Sequence, residues 1–212
     1  MTSRIHIIRH GESQHNIQRD YPHPDPPLTK RGQGATKAIS LPFAPDLILI
    51  SPMTRTIQTA MNLFPWMHEA HRSSRGSIPV HVWPDLREAH DAPCNRGLAR
   101  ARLHAQFPNL DLAECSEEWD YPAHSVEAAT ARAERVRKRL RRLASTYRNI
   151  VVVTHRGFAA SMVKGVRFGL CEWRSYRFAM QDEAEDEGCR MGIHCETQEK
   201  LDFGPTVLVR EV

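Results

Sequence analysis

Cysteine is scarce and irregularly placed. Five residues, at 94, 115, 171, 189 and 195, show no framework spacing, and the odd number points away from a disulfide scaffold and toward a reducing compartment. Cys189, His194 and Cys195 lie close together, but no second pair at zinc-finger spacing accompanies them, so that segment reads as a loop and no metal site is expected. No apolar run reaches the roughly 18 residues that a membrane span requires, and the N-terminal apolar run is too short for a signal peptide. A soluble, cytoplasmic protein with no membrane partner is the expectation. Repeats are missing as well. Aromatic residues make up 7% of the chain, and none interleaves the arginines between 132 and 142, which argues against a nucleic-acid surface.

What is present suffices for one domain spanning 1–212, since 41% of the 212 residues are hydrophobic. A net charge of +4 and a pI near 8.9 suit small anionic ligands. Residues 4–9 predict a short buried strand running into Gly11 and a helix over 12–18. The four prolines in 21–27 force an exposed loop. Thr29 is the expected N-cap of a helix over 30–40, and 46–50 is a continuous apolar run of the kind buried in a parallel sheet. Ser51 and Pro52 read as the N-cap and first residue of a helix running to 63. A polar stretch, 68–77, leads to a strand over 78–83 and a turn at 84–88.

Between 89 and 124 the pattern is broken by Pro93, Gly97, Pro108 and Pro122, with one helix near 98–106. This insert reads as a lid that sets specificity, with Arg96, Arg100, Arg102 and His104 as candidate contacts. Ser125 caps a helix to 147 whose apolar stripe is Ala129, Ala133, Val136, Leu140, Leu143 and Tyr147. Arg132, Arg135, Arg139 and Arg142 form a basic stripe that reads as a solvated face. A β-prone run at 150–154 enters a helix over 158–167. A strand over 175–180, with Tyr176, Phe178 and Met180 on one face, a charged loop at 182–187 and a last strand over 206–210 complete the chain. The expected fold is α/β: three layers, with a mostly parallel sheet of about six strands, one antiparallel edge strand and a lid-like insert.

Four predicted strand ends carry reactive side chains: Arg9 and His10, then Arg55 just inside a helix, then Glu88, then His155. In a doubly wound sheet these ends share one edge, where helix N-termini favour anions. Phosphoryl transfer needs positioning and charge neutralisation more than covalent work. Arg9 and Arg55 can clamp phosphoryl oxygens through forked hydrogen bonds, and His155 can bind a third. His10, with one ring nitrogen held by a backbone carbonyl, can attack phosphorus through the other. Glu88 can protonate the leaving oxygen and then deprotonate water. No metal or other cofactor is called for, because the arginines supply the positive charge. The remaining histidines, including His6, His15 and His23, read as structural or surface residues.

The run Arg9-His10-Gly11-Glu12, with Asn16 following, resembles the signature of the histidine phosphatase superfamily, the phosphoglycerate-mutase-like proteins of branch 1. Pro27-Leu28-Thr29 with Gly32, the segment from Ser51 to Ala60, Leu86-Arg87-Glu88 and Thr154-His155 are similar to further family motifs. The run Cys171 to Tyr176 is similar to fungal members. The resemblance implies His10 as the phosphorylated residue and Gly11 and Asn16 as phosphate contacts. Arg156 stands where a small residue is usual, either facing solvent or adding a third arginine for a bisphosphate or diphosphate. The stretch after Glu88 lacks the Tyr-Gly of glycolytic mutases. The leading expectation is therefore a metal-independent phosphatase acting on a small phosphorylated metabolite through phosphohistidine, as a monomer or homodimer. A mutase and an inactive phospholigand-binding scaffold are the alternatives.

Overall fold

The computed structural model describes residues 3–18, 20–69, 78–120 and 125–211. Most of the polar stretch 68–77, and the last four residues of the 89–124 insert, lie outside them. In chain order the elements are β1 (Arg4–Arg9), α1 (Gln14–Ile17), α2 (Lys30–Lys37), β2 (Leu47–Ile50), α3 (Thr54–Leu63), β3 (Val80–Val82), α4 (Arg100–Gln106), α5 (Val126–Leu143), β4 (Asn149–Thr154), α6 (Arg156–Met162), β5 (Trp173–Phe178), α7 (Gln181–Glu185), α8 (Glu187–Arg190), β6 (Met191–Ile193), β7 (Lys200–Asp202) and β8 (Leu208–Arg210). Short 3-10 turns occupy Pro65–His68, Pro84–Leu86 and Pro93–Asn95.

These residues build a six-stranded sheet in the order β3-β2-β4-β1-β5-β8. The first four strands are mutually parallel, β5 runs antiparallel to β1, and the edge strand β8 pairs antiparallel with β5. Alternation along the strands explains the layers. Ile5, Ile7, Leu47, Leu49, Ile150 and Val152 meet α5 and α6 on one face, while Ile8, Ile48, Ile50, Val151 and Val153 meet α3 and α4 on the other. Both faces are therefore buried, as the continuous apolar runs require.

Several expected details shift. The stretch 182–187, read as a charged loop, holds most of α7 and the start of α8, and the Cys189–His194–Cys195 segment contains the end of α8 and the β6 strand of a β6–β7 hairpin. Strand β5 begins at Trp173 and ends at Phe178, so Met180 falls outside it and is 65% exposed. The insert is anchored to the body: Leu103, Leu110, Leu112, Cys115 and Trp119 are buried in the α3 side of the core. Among the described residues no helix is long and apolar enough to cross a membrane.

Two motifs lock the signature loop in place. Thr29 caps α2 by accepting the Gly32 N–H, and its hydroxyl donates to the Glu12 carboxylate at 2.7 Å. Gly32 lies so close beneath that loop that a Cβ there would sit 2.0 Å from the Glu12 carbonyl oxygen. The glycine is a requirement of close approach.

Candidate active site

The Arg9–His10 step ends β1, and the His10 N–H donates to the Thr154 carbonyl of β4 at 3.1 Å. Both side chains are buried. The His10 Nδ1–H donates to the Gly11 carbonyl at 2.7 Å, which assigns the proton to Nδ1 and leaves the Nε2 lone pair available. His155, at the end of β4, places its ring 5.2 Å from that of His10. Its Nε2 is hydrogen-bonded to Ser51 Oγ at 2.8 Å, while Nδ1 is buried with no hydrogen-bond partner among the described residues. Burial, with the Arg55 charge adding to it, pushes both imidazoles well below their usual range, so both are neutral bases.

Arg55 lies in the first turn of α3 and is fully buried. Its guanidinium donates to the Cys94 carbonyl and to Asn95 Oδ1, each at 3.0 Å, so residues from the insert hold it. Arg9 donates to the Phe168 carbonyl at 2.7 Å. The Nε groups of both arginines are buried without partners among the described residues. An anion between them would satisfy these donors, a large gain because an unmet buried donor is costly. Burial, with Arg156 next, pulls the Arg9 guanidinium down to about 10.

Glu88 completes the convergence. Its carboxylate accepts the Ala89 and Phe158 N–H groups at 2.8 Å and that of Gly157 at 3.2 Å, which binds it to the first turn of α6, directly after His155. Its charge acts on both Arg9 and Arg55. Gly157 must be glycine for this contact, since a Cβ would lie 2.5 Å from Glu88 Oε1 and 2.6 Å from His90 Nδ1. Arg9, His10, Arg55, Glu88 and His155 are thus brought to one sheet edge. Among the described residues no group of three or more His, Cys, Asp or Glu could hold a metal ion.

The other expected ligand contacts fare differently. The Gly11 N–H donates to Thr59 Oγ1 at 3.1 Å, and its carbonyl accepts the His10 Nδ1–H. Asn16 Oδ1 accepts the Ser13 N–H at 2.9 Å as the α1 cap, and its Nδ2 donates to His15 Nε2 at 3.2 Å. Arg156 pairs with Glu196 at 2.9 Å, a carboxylate it shares with Arg167 at 3.4 Å.

Ser51 is a correction: the N-cap of α3 is Met53, and Ser51 instead contacts His155. Asp25, from the proline-rich loop, supplies the cap by accepting the Thr54 N–H and hydroxyl at 2.8 and 2.7 Å. A second correction concerns His15, read as a structural or surface residue. Its ring lies 5.9 Å from that of His10, and burial followed by the Arg55 and Arg9 charges pushes it down to about 3. Arg132 is the third. It is buried and donates to the carbonyls of Asp85, Arg87 and Glu88, whereas Arg135 and Arg142 are exposed as expected and Arg139 covers Trp83 while pairing with Glu114. Helical spacing carried the signal, because Arg132 stands three residues after Ala129 and four before Val136.

Comparison with known proteins agrees with this geometry. Residues 5–185 match the sequence model of the histidine phosphatase superfamily (branch 1). The chain is 30% identical over 125 residues to a probable phosphatase of Schizosaccharomyces pombe, a match that spans 56% of each chain. It is 30% identical over 200 residues to the adenosylcobalamin/alpha-ribazole phosphatase of Escherichia coli, covering 90% of this chain and 89% of that protein. The ecdysone phosphate phosphatase of Bombix mori, solved with tungstate, shares the fold with a TM-score of 0.61 at 14% identity, covering 82% and 89% of the two chains. The paired histidines, the two buried arginines and the family match over nearly the whole sequence converge, and the chain belongs to branch 1 of the histidine phosphatase superfamily.

Proposed function

We propose that the protein is a phosphoric monoester hydrolase that works without a metal, acts on a small phosphorylated molecule and passes through phosphohistidine. The observation that carries this reading is His10, neutral, buried, with Nδ1 tied to the Gly11 carbonyl and beside two arginines whose Nε groups lack partners among the described residues. The His10 Nε2 lone pair attacks phosphorus as the bond to the ester oxygen breaks, and that oxygen takes its proton from Glu88, which enters this step as the carboxylic acid and is returned to that state by the water proton of the second step. Glu88, now a carboxylate, removes a proton from water. The hydroxide oxygen bonds to phosphorus, the P–N bond breaks, and phosphate leaves with His10 restored. Arg9, Arg55 and His155 hold the three equatorial oxygens throughout.

Asn16 and Gly11 are proposed as supports of the phosphate site and not as its main donors. Arg156 sits at the rim, where the Glu196 charge offsets its own, which favours a monoester over a diphosphate. Within the 89–124 insert, Cys94 and Asn95 hold Arg55, and this end of the insert is where specificity is proposed to be set. Turnover of p-nitrophenyl phosphate with stoichiometric release of free phosphate is expected, and His10→Asn lowers the rate by at least about 1000-fold. Isomerised product without net phosphate would support a mutase, and no turnover with retained phosphate binding would support a scaffold.

A further inference from the structure

We propose that Arg132 is a positioning residue for Glu88, fixing the proton donor against the α6 N-terminus; the inference rests on Glu88 acting as the acid and base. Arg132 is 2% exposed and projects from α5. One guanidinium nitrogen donates to the carbonyls of Asp85 and Arg87 at 2.9 and 2.8 Å, and the other to the carbonyl of Glu88 itself at 3.0 Å. The same group lies 4.7 Å from the centre of the Phe158 ring, and the Phe158 N–H is one of the two shortest bonds to the Glu88 carboxylate. A single cation therefore grips the acid's own backbone and the residue that aims its side chain.

The arrangement is chemically expensive, which is why it points to a role. Burial pulls the Arg132 guanidinium down to about 9, with Arg87 adding to the shift, and a buried cation held mainly by carbonyls is disfavoured against an apolar side chain of equal volume. Fixing the turn at 85–88 is what such a fork does and an apolar side chain cannot. Proton transfer is sensitive to this placement, since donor and acceptor must come within hydrogen-bond reach.

The test compares two substrates. p-Nitrophenyl phosphate has a leaving group that needs little protonation, whereas glycerol phosphate needs a proton to leave. The ratio of their kcat/KM values is measured for the wild type, Arg132→Met, Glu88→Gln and the double variant. Loss of positioning raises the ratio on the order of tenfold or more in each single variant, and the double variant goes no higher than Glu88→Gln alone. Arg132→Lys, which keeps charge but not the fork, gives an intermediate ratio and is read in the same way where Arg132→Met does not fold. Equal losses on both substrates in the Arg132 variants, or effects that multiply in the double variant, overturn the positioning role. An unchanged ratio in Glu88→Gln instead overturns the reading of Glu88 as the acid, and the two failures are distinct.

Discussion

At the scale of single residues, the site depends on close approach as much as on charge. Gly157 carries no function of its own, yet a methyl group there would occupy the space of Glu88 Oε1 and the His90 ring. Gly157→Ala should therefore lower kcat by about 100-fold through displacement of Glu88 while shifting the thermal midpoint by only a few degrees, as read by steady-state kinetics and calorimetry. Of the residues around this contact, Arg9, His10, Arg55, Glu88 and His155 were legible in the sequence, because each follows a recognisable strand and carries a side chain suited to phosphate. Ser51, His15 and Asn95 were not. A serine before a proline reads equally well as a helix cap, and nothing local tells a histidine one turn after a strand that it will sit beside two buried arginines.

At the scale of elements, α5 braces the sheet edge that carries the candidate site. Arg132 holds the Glu88 turn, and Arg137 donates to the Ser161 and Met162 carbonyls at 2.8 and 3.1 Å, capping the end of α6 while pairing with Glu134 at 2.9 Å. Both arginines lie on the buried face, so the pattern of apolar residues alone understates what that face contains. Arg137→Met removes this donor from both carbonyls, while Glu134 keeps Thr206 and Lys138, and should cost about 2 kcal/mol in urea unfolding. Its substrate ratio, unlike that of Arg132 variants, should stay at the wild-type value. The helices and parallel strands themselves were legible from periodicity, capping residues and prolines. The α7, α8 and β6–β7 segment was not, because its short elements carry too few apolar residues to set a period.

At the scale of the whole molecule, two buried sheet faces, one open carboxyl-end edge and four chain segments arriving there make a site whose histidines are neutral. His10, His15 and His155 all have folded values below the unfolded 6.5, so the unfolded chain binds their protons first and stability falls as pH drops below about 6.5. Asp25 acts in the opposite sense. Burial raises it from 3.8 to about 6, which favours the folded state as pH falls through 6. Burial lowers His6 and His194 as well, and five groups against one gives a net loss, so the thermal midpoint should decline between pH 7 and 5, less steeply in His15→Gln. A flat or rising midpoint over that range would contradict neutral histidines in the folded state.

Covalent phosphorylation of His10 is decided by rapid-quench trapping with a ³²P-labelled substrate. Acid-labile, alkali-stable phosphate is expected on the wild-type protein, mapped to His10, formed and lost at rates that account for turnover, and missing from His10→Asn. Turnover by the wild type with no protein-bound phosphate at any quench time, or label on another residue, would contradict it.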